Sequence, residues 1–338
     1  MAVPVETWLF PKPSGLWCEP GQFYIDPRTA VDRAVITHGH GDHARSGHGA
    51  VLATSETVEI MKVRYGANCA GRFEPLGLGE TIAINGVQVR LAPAGHILGS
   101  AQVVLEWGGS RVVVSGDYKR AADPTCEPFE VVPCDVFVTE ATFGLPVFRH
   151  GNAGLEAERL LQSVGEQPDR AHLLGVYGLG KCQRMIKLLR IAGYDEPIYL
   201  HTALVGLTRL YQSLGHDLGD CRPVMEAAPD DVKTALILCP PSALADRWSR
   251  RFTDPVTVFA SGWMRARGRV RQSGIELPLV VSDHADWPEL LTTIVETGAP
   301  EVWVTHGRED ALVYQLGQMG IVGRALALVG LDDEGEGN

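Results

Sequence analysis

Residues 37–49, THGHGDHARSGHG, follow an apolar segment, RAVITH at 33–38, that predicts a buried strand. They contain four of the chain's 11 histidines and one aspartate. Imidazole nitrogens and carboxylate oxygens are ligands for zinc and similar divalent metals. Glycines at 39 and 41 can adopt dihedral angles that other residues cannot, which would let side chains on both sides of a turn converge. The pattern predicts a metal site after a strand, with His38, His40, Asp42 and His43 as ligands. His48 lies past this loop and is predicted to be a bystander.

Three further ligand candidates lie at or near the ends of segments that predict strands. His96 lies in APAGHILGSA, Asp117 ends RVVVSGD, and His306 lies near the end of EVWVTHG. Ligands drawn from several strand ends at one edge are how α/β folds build their sites. These residues and the loop offer seven candidates, including a carboxylate able to bridge, so we expect two metals.

Strand-like and helix-like segments alternate along the 338 residues, which predicts an α/β protein of one large or two intertwined domains. Gly108–Gly109 is expected to form a hairpin turn, and Ser55 is expected to cap a helix over SETVEIMKVRYG. The segment ALADRWSRRF is also expected to be helical. A new series of elements begins near Gly151. The acidic, glycine-rich end at 331–338 predicts a flexible tail.

Charge and cysteine usage restrict the class of protein. No apolar run is long enough for a membrane helix, and no signal peptide is visible at the start. The seven scattered cysteines, without a C-x-x-C pair, favour a reducing cytoplasm. A net charge of −11 argues against a nucleic-acid partner unless basic residues are concentrated locally.

Two basic segments meet that condition. In WMRARGRVRQ every second residue is an arginine, so in an extended segment Arg265, Arg267, Arg269 and Arg271 would project to one side. Such a segment would follow a phosphate backbone, although a charged edge strand is the alternative. Helical spacing predicts a second basic stripe of Lys181, Arg184, Lys187 and Arg190.

The segment YGLGK indicates an anion site, because a glycine turn that opens a helix presents backbone N–H groups. Cys182 follows Lys181 where a nucleotide-binding phosphate loop requires a hydroxyl, so a triphosphatase is excluded. We expect Tyr177, Gly178, Gly180 and Lys181 to hold a substrate phosphate, with an ordinary strand–helix turn as the alternative. Trp263 and Phe143 are candidates for base stacking, with core packing as the alternative.

Taken together, H-x-H-x-D-H after a strand, then His96 and Asp117, resemble the metallo-β-lactamase superfamily. Glu140 in VTEATFG, His284 in VVSDHADW and His306 in VTHG resemble its β-CASP nuclease branch. The resemblance implies a four-layer αββα sandwich with an inserted β-CASP α/β domain. Residues 1–150 and 275–330 would form the catalytic domain, and residues 151–274 the insertion.

The resemblance also implies roles for these residues. One metal would be bound by His38, His40 and His96, and the other by Asp42, His43 and His306, with Asp117 as the bridge. Asp26, in FYIDP, would orient the loop histidines. Glu140 would hold His284, the general acid, and Asp42 also counts among the catalytic residues. Zinc is the expected metal, with manganese and magnesium as alternatives.

The stretches FYIDP, TEATFGLPVFRHG and YGLGKCQRMIKLL resemble bacterial ligase-associated DNA exonucleases. This implies a DNA exonuclease that works with a DNA ligase and a helicase. His306 and AGHILGSA resemble the RNA-processing members instead, since Artemis-type repair members usually lack that histidine. RNA therefore stays open as the substrate. Two alternatives belong to other functional classes: a small-ester hydrolase and a metal-free nucleic-acid binding module.

Overall fold

The computed structural model describes residues 2–266, 268 and 274–326. The chain divides into two units: one runs to Phe148 and resumes at His284, and the other is Arg149–Asp283. This division falls at 148/149 and 283/284, whereas the sequence predicted borders at 150/151 and 274/275. The predicted identities of the domains stay predictions.

The strands of the described residues are β1 Leu9–Lys12, β2 Gly15–Cys18, β3 Phe23–Ile25, β4 Arg33–Val35, β5 His48–Ala53, β6 Ala70–Pro75, β7 Thr81–Ile84, β8 Val87–Pro93, β9 Ala101–Trp107, β10 Ser110–Val114, β11 Val136–Ala141, β12 His172–Gly175, β13 Ile198–Leu200, β14 Cys221–Pro223, β15 Leu236–Cys239, β16 Val256–Ala260, β17 Leu277–Leu279, β18 Glu301–Gly307 and β19 Val322–Ala325. The α-helices are α1 Ser55–Tyr65, α2 Ala153–Glu166, α3 Lys181–Ile191, α4 Thr202–Ser213, α5 Trp287–Thr297 and α6 Glu309–Gln318. The sequence had predicted α1 with Ser55 as its cap, but the cap is Thr54, whose hydroxyl accepts from the Thr57 N–H at 3.2 Å.

Two sheets of the first unit pack face to face. One has the order β1-β2-β3-β4-β5-β6, and the other has the order β19-β18-β11-β10-β9-β8-β7. Alternation along β9 explains the packing, because successive side chains of a strand point to opposite faces. Val103 and Leu105 enter the core between the sheets, while Val104 enters the core on the outer face.

Helices cover both outer faces. Val58 and Met61 of α1 pack with Val51 on the first sheet, and residues of α5 and α6, such as Leu290 and Leu312, pack on the second. The four-layer αββα arrangement predicted through the family resemblance is therefore confirmed. The Gly108–Gly109 turn is also confirmed: both residues have positive φ, and the turn joins antiparallel β9 and β10.

The second unit has its own parallel sheet, with the order β14-β13-β15-β12-β16-β17. The helix predicted over ALADRWSRRF is wrong: this region holds the short 3-10 helices Pro241–Leu244 and Ser249–Arg251. Leu244, Trp248 and Phe252 have helical spacing, but all three pack with one hydrophobic core of the second unit. The apolar side chains that suggested an α-helix are therefore packed in this core without an α-helix.

Within the described residues, the helices are too short or too polar to cross a membrane. All seven cysteines are free thiols.

Candidate active site

The histidine loop begins where β4 ends, and its backbone is tied down at Thr37. Asp26 accepts from the Thr37 N–H at 2.8 Å and from its hydroxyl at 2.6 Å. Neither Gly39 nor Gly41 has a φ in the left-handed range, so the dihedral reason predicted for them is wrong. Gly39 is required for space instead, because a Cβ there would lie 2.4 Å from Cγ2 of Ile60.

His38, His40, His96 and Asp117 converge beside this loop. The Nδ1 of His40 lies 3.1 Å from Nε2 of His38 and 3.0 Å from Nε2 of His96. His96 is held by Ser100, whose hydroxyl oxygen accepts from its backbone N–H at 3.1 Å. The ligand atoms of the three histidines and Asp117 all lie within 4.8 Å of one another, a spacing that can hold one metal ion.

Asp117 lies at the centre of the site. Its Oδ2 is 3.5 Å from Nε2 of His38, 3.4 Å from Nε2 of His43 and 3.8 Å from Nε2 of His96. The same oxygen is 3.9 Å from Nδ1 of His284. Gly116 allows this approach, because its φ is +55° and a Cβ there would lie 2.7 Å from Cβ of Thr37. One carboxylate oxygen therefore faces four imidazoles.

His43 and His306 form a second part of the site. Their rings stack with centroids 5.1 Å apart and planes 16° apart. The Nδ1 of His43 lies 2.7 Å from Oδ2 of Asp26. The Nε2 atoms of His43 and His306 are buried without a hydrogen-bond partner. Buried ring nitrogens of this kind usually have a partner, so both are open to a metal.

Asp42 lies further out than the other candidate ligands. Its Oδ2 is 3.7 Å from Nε2 of His43, and its side chain is 53% exposed. Among the described residues, Asp42, His43 and His306 do not form a group whose ligand atoms all lie within 4.8 Å, as the first set does.

A bulge places His306. Glu140 of β11 pairs with Thr305 of β18, and Ala141 pairs with Gly307, so His306 is the extra residue. Its φ is +57°, an uncommon conformation for a residue other than glycine. Bulges redirect side chains and occur preferentially beside active sites. The sequence placed His306 near a strand end but carried no signal for the bulge.

Glu140 and His284 form a buried pair. The Nδ1 of His284 lies 2.9 Å from Oε2 of Glu140. The other carboxylate oxygen, Oε1, accepts from the Tyr118 N–H at 2.8 Å. Asp117, Glu140 and His284 also form a group with ligand atoms within 4.8 Å of one another. Because Tyr118 follows Asp117 directly, Glu140 links the residue next to Asp117 to His284.

Burial and neighbouring charge set the protonation of these groups. Burial holds the pKa of His38 well below its usual value and lowers the pKa of His306 to about 4. Burial opposes the charged form of His43, but Asp117, Asp42 and Asp26 outweigh it and hold its pKa well above the usual value. Burial likewise opposes the charged form of Asp117, yet the neighbouring His43 and His284 hold its pKa well below the usual range.

The donor set fits divalent metal ions. Imidazole nitrogens and carboxylate oxygens converge, and neutral histidines are the form that binds a metal. The orphaned Nε2 atoms of His43 and His306 are a second, independent indication.

The residues predicted to bind phosphate lie in the second unit. Lys181 is fully buried, with Nζ 3.6 Å from Oδ2 of Asp283, and Arg184 donates to the Ser282 carbonyl at 2.5 Å. Lys187 and Arg190 donate to backbone carbonyls, including those of Asp217 and Leu218. These four residues have the predicted helical spacing on α3, but Lys181 and Arg184 are buried and all four make internal contacts.

The glycine turn before α3 is engaged internally as well. Gly180 donates to Oε1 of Gln183 at 2.9 Å, and Gln183 donates to the Gly178 carbonyl at 3.0 Å. A phosphate contact by Gly178, Gly180 or Lys181 stays a prediction, and it would require Lys181 to leave Asp283.

Arg265 is exposed and ends the 3-10 helix Gly262–Arg265, so the extended segment predicted there is wrong at this residue. Arg267, Arg269 and Arg271 lie outside the described residues.

Phe143 is fully buried and packs on Phe148, which supports core packing over base stacking. His48 is buried on β5 and accepts from the Val31 N–H at 3.3 Å.

Known proteins resemble this chain in sequence and in fold. The family model of the metallo-β-lactamase superfamily matches residues 15–175, which include the loop, His96, Asp117 and Glu140. The chain carries a metallo-β-lactamase domain. A crystal structure from Enterococcus faecalis V583, of a protein of unknown function, shares the fold with a TM-score of 0.57 at 12% identity, covering 86% of this chain and 78% of that one.

Several known proteins with nucleic-acid enzyme names are similar to this chain in sequence. A probable DNA ligase of Opitutus terrae is 27% identical over 91% of the chain, which spans 30% of that relative. A ribonuclease of Thermus thermophilus is 25% identical over 91% of the chain, which spans 86% of it. The endoribonuclease YSH1 of Kluyveromyces lactis is 33% identical over 35% of the chain, which spans 16% of it.

A substitution of Asp26 would test whether this carboxylate orients the histidine loop. We expect Asp26→Asn to weaken zinc binding about 10- to 100-fold, because hydrogen bonds to metal-binding histidines contribute that much to affinity. The asparagine amide would face Nδ1 of His43 in place of a carboxylate oxygen. Zinc affinity would be measured by competition with a chromophoric chelator. Asp32→Asn is the control, since Asp32 is exposed and belongs to none of the site contacts. Equal affinities in both variants would contradict the role of Asp26.

Proposed function

We propose that the chain is a two-metal phosphodiesterase that hydrolyses nucleic acid, with DNA exonuclease as the favoured form. The observation that carries this proposal is the position of Asp117, whose Oδ2 lies within 3.9 Å of ring nitrogens of His38, His43, His96 and His284. A single carboxylate oxygen surrounded in this way is suited to bridge two cations.

In this proposal His38, His40 and His96 hold one metal, Asp42, His43 and His306 hold the other, and Asp117 bridges them. When bound, two divalent cations supply Lewis acidity that lowers the pKa of water and neutralises charge on phosphate oxygens. Zinc is the metal proposed, because nitrogen donors outnumber oxygen donors in this set.

Protein groups supply the proton transfer. Glu140 accepts from Nδ1 of His284, and we assign Nε2 as the nitrogen that exchanges a proton with the substrate. We assign His284 as the general acid that protonates the leaving oxygen. Asp26 keeps His43 and Thr37 oriented from outside the ligand set.

The substrate assignment rests on the relatives. The probable DNA ligase matches 91% of the chain, and the chain spans 30% of that relative. This similarity to a ligase supports DNA as the substrate and a ligase as a functional partner. The Thermus ribonuclease matches an equal share, so RNA processing is the second candidate. A helicase partner and a cytoplasmic location remain predictions from the sequence, as do phosphate contacts by Gly178, Gly180, Lys181, Arg265, Arg267, Arg269 and Arg271.

End-labelled single- and double-stranded DNA and RNA, together with circular single-stranded DNA, would test the proposal. We expect linear DNA to be degraded from an end, circular DNA to resist, and a chelator to stop the reaction until zinc, manganese or magnesium is restored. Labels at the 5′ or the 3′ end report the polarity. His40→Ala is the inactive control.

Three results would contradict parts of this assignment. Degradation that survives both the chelator and His40→Ala would exclude the two-metal mechanism. Degradation of RNA without DNA would exclude the DNA assignment. Hydrolysis of p-nitrophenyl acetate without any nucleic-acid cleavage would favour a small-ester hydrolase.

A further inference from the structure

Three arginines of the second unit lie close together on the surface. Arg247, Arg250 and Arg251, here called the arginine patch, are all exposed. Over the part of the chain that the structure describes, no carboxylate forms an ion pair with any of them. Two exposed arginines of the same unit are neutralised and differ from the patch in this respect: Arg159 pairs with Glu156, and Arg222 pairs with Asp220.

Aromatic and thioether groups support the patch. The ring of Trp248 packs edge-on against His201, with centroids 4.8 Å apart, and against Phe252, with centroids 5.2 Å apart. The Arg251 guanidinium lies 4.9 Å from the Trp248 ring centroid, and its Nη1 is 3.4 Å from Sδ of Met225. Met225 is 64% exposed. Arg251 is thus held on an apolar base while its charge stays unneutralised.

The patch lies at an edge of the sheet suited to ligands. His201 directly follows β13, and Met225 lies in the turn that directly follows β14. These strands are parallel neighbours, so both residues lie at carboxyl ends. Open α/β sheets bind ligands outside the carboxyl ends of their strands. In a chain with a net charge of −11, three adjacent unneutralised cations favour an anionic ligand.

We propose that the arginine patch binds the phosphate backbone of single-stranded nucleic acid, as a contact additional to the residues of the candidate active site. The proposal rests on the proposed function, which makes nucleic acid the substrate. Guanidinium groups match phosphate geometry with paired donors, and a basic surface next to aromatic rings is typical of single-strand binding. The patch recognises the backbone, so DNA and RNA strands both bind.

The test compares R247Q/R250Q/R251Q with R159Q/R222Q, both in a His40→Ala background that prevents cleavage. Fluorescence anisotropy with labelled DNA and RNA oligonucleotides would be recorded across a salt series. Each lost phosphate contact lowers the slope of log affinity against log salt by about 0.7 for single strands. We expect a slope reduced by about 2 in the triple variant and at least about tenfold weaker binding at low salt. The control arginines are already paired, so R159Q/R222Q should bind like the parent.

A triple variant with the parent's slope and affinity would overturn the proposal, as would parent binding to polyglutamate as tight as to the oligonucleotides. With His40 restored, hydrolysis of bis(p-nitrophenyl) phosphate by the triple variant should be unchanged, because none of the three arginines is among the residues of the candidate active site. If the natural chain cleaves no phosphodiester but the triple variant still loses oligonucleotide affinity, the proposed function fails and the patch stands. Unchanged melting temperatures confirm that each variant folds.

Discussion

Asp117→Asn should lose at least about a thousandfold in phosphodiester hydrolysis, because one oxygen of Asp117 faces the imidazoles of both proposed metal positions. An asparagine keeps the size of the side chain but removes the negative charge that would hold two cations together. Metal content after dialysis against zinc should fall from two ions per chain to one or fewer. Elemental analysis and turnover of a labelled oligonucleotide measure the two effects.

Asp135→Asn is the matched control, since it makes the same change at an exposed carboxylate that accepts from the Arg111 N–H. It should keep both metal content and rate. If Asp117→Asn retains two ions and a rate within tenfold of the natural chain, Asp117 is not the bridge. A comparison of melting curves without metal separates loss of ligands from loss of fold.

The histidine loop and its downstream partners were predictable because metal ligands of this kind fall at strand ends, and strand ends are visible as apolar runs that stop at polar residues. His38, His96, Asp117 and His284 are separated by 58, 21 and 167 positions along the chain, yet the fold brings their ring and carboxylate atoms into two groups that share Asp117. The alternation of strand-like and helix-like segments predicted an α/β protein, and the sandwich followed from the family resemblance alone.

The features that the sequence did not predict correctly depend on tertiary contacts, which no local sequence pattern contains. Lys181 has the spacing of a surface stripe but faces Asp283, a residue 102 positions away in the sequence. The bulge at His306 arises from its pairing with β11. Gly39 matters because of Ile60 on α1. Burial, register and close approach become visible only when the partner segment is known.

The same limit applies to charge. The sequence predicts two regularly spaced basic segments. One of them, on α3, is partly buried and its side chains make internal hydrogen bonds. The sequence predicts an ordinary helix over the segment that contains Arg247, Arg250 and Arg251, and this pattern does not distinguish them from other surface arginines. Their significance comes from the lack of carboxylate partners within the described ranges, which regular spacing cannot reveal.

His284→Ala should lower the rate about 10²- to 10⁴-fold while leaving metal content unchanged, because general acid catalysis contributes an effect of that size. The loss should be much smaller for a p-nitrophenyl phosphodiester, whose leaving group departs without a proton. Measuring turnover of both substrates therefore separates proton donation from metal binding. An equal loss on both, or a loss of zinc, would make His284 a ligand, which its place in a group with Asp117 and Glu140 allows.

Glu140→Gln completes this test, because glutamine still accepts from the Tyr118 N–H but presents an amide N–H to Nδ1 of His284. Nδ1 would then have to accept, which disfavours the doubly protonated imidazolium, the form of His284 that can donate a proton from Nε2. We expect a loss of about 10- to 100-fold, again suppressed with the p-nitrophenyl substrate. Glu130→Gln, at a glutamate that pairs with Arg90, should keep the full rate on both substrates. If Glu140→Gln matches that control, the carboxylate does not stabilise the protonated form of His284.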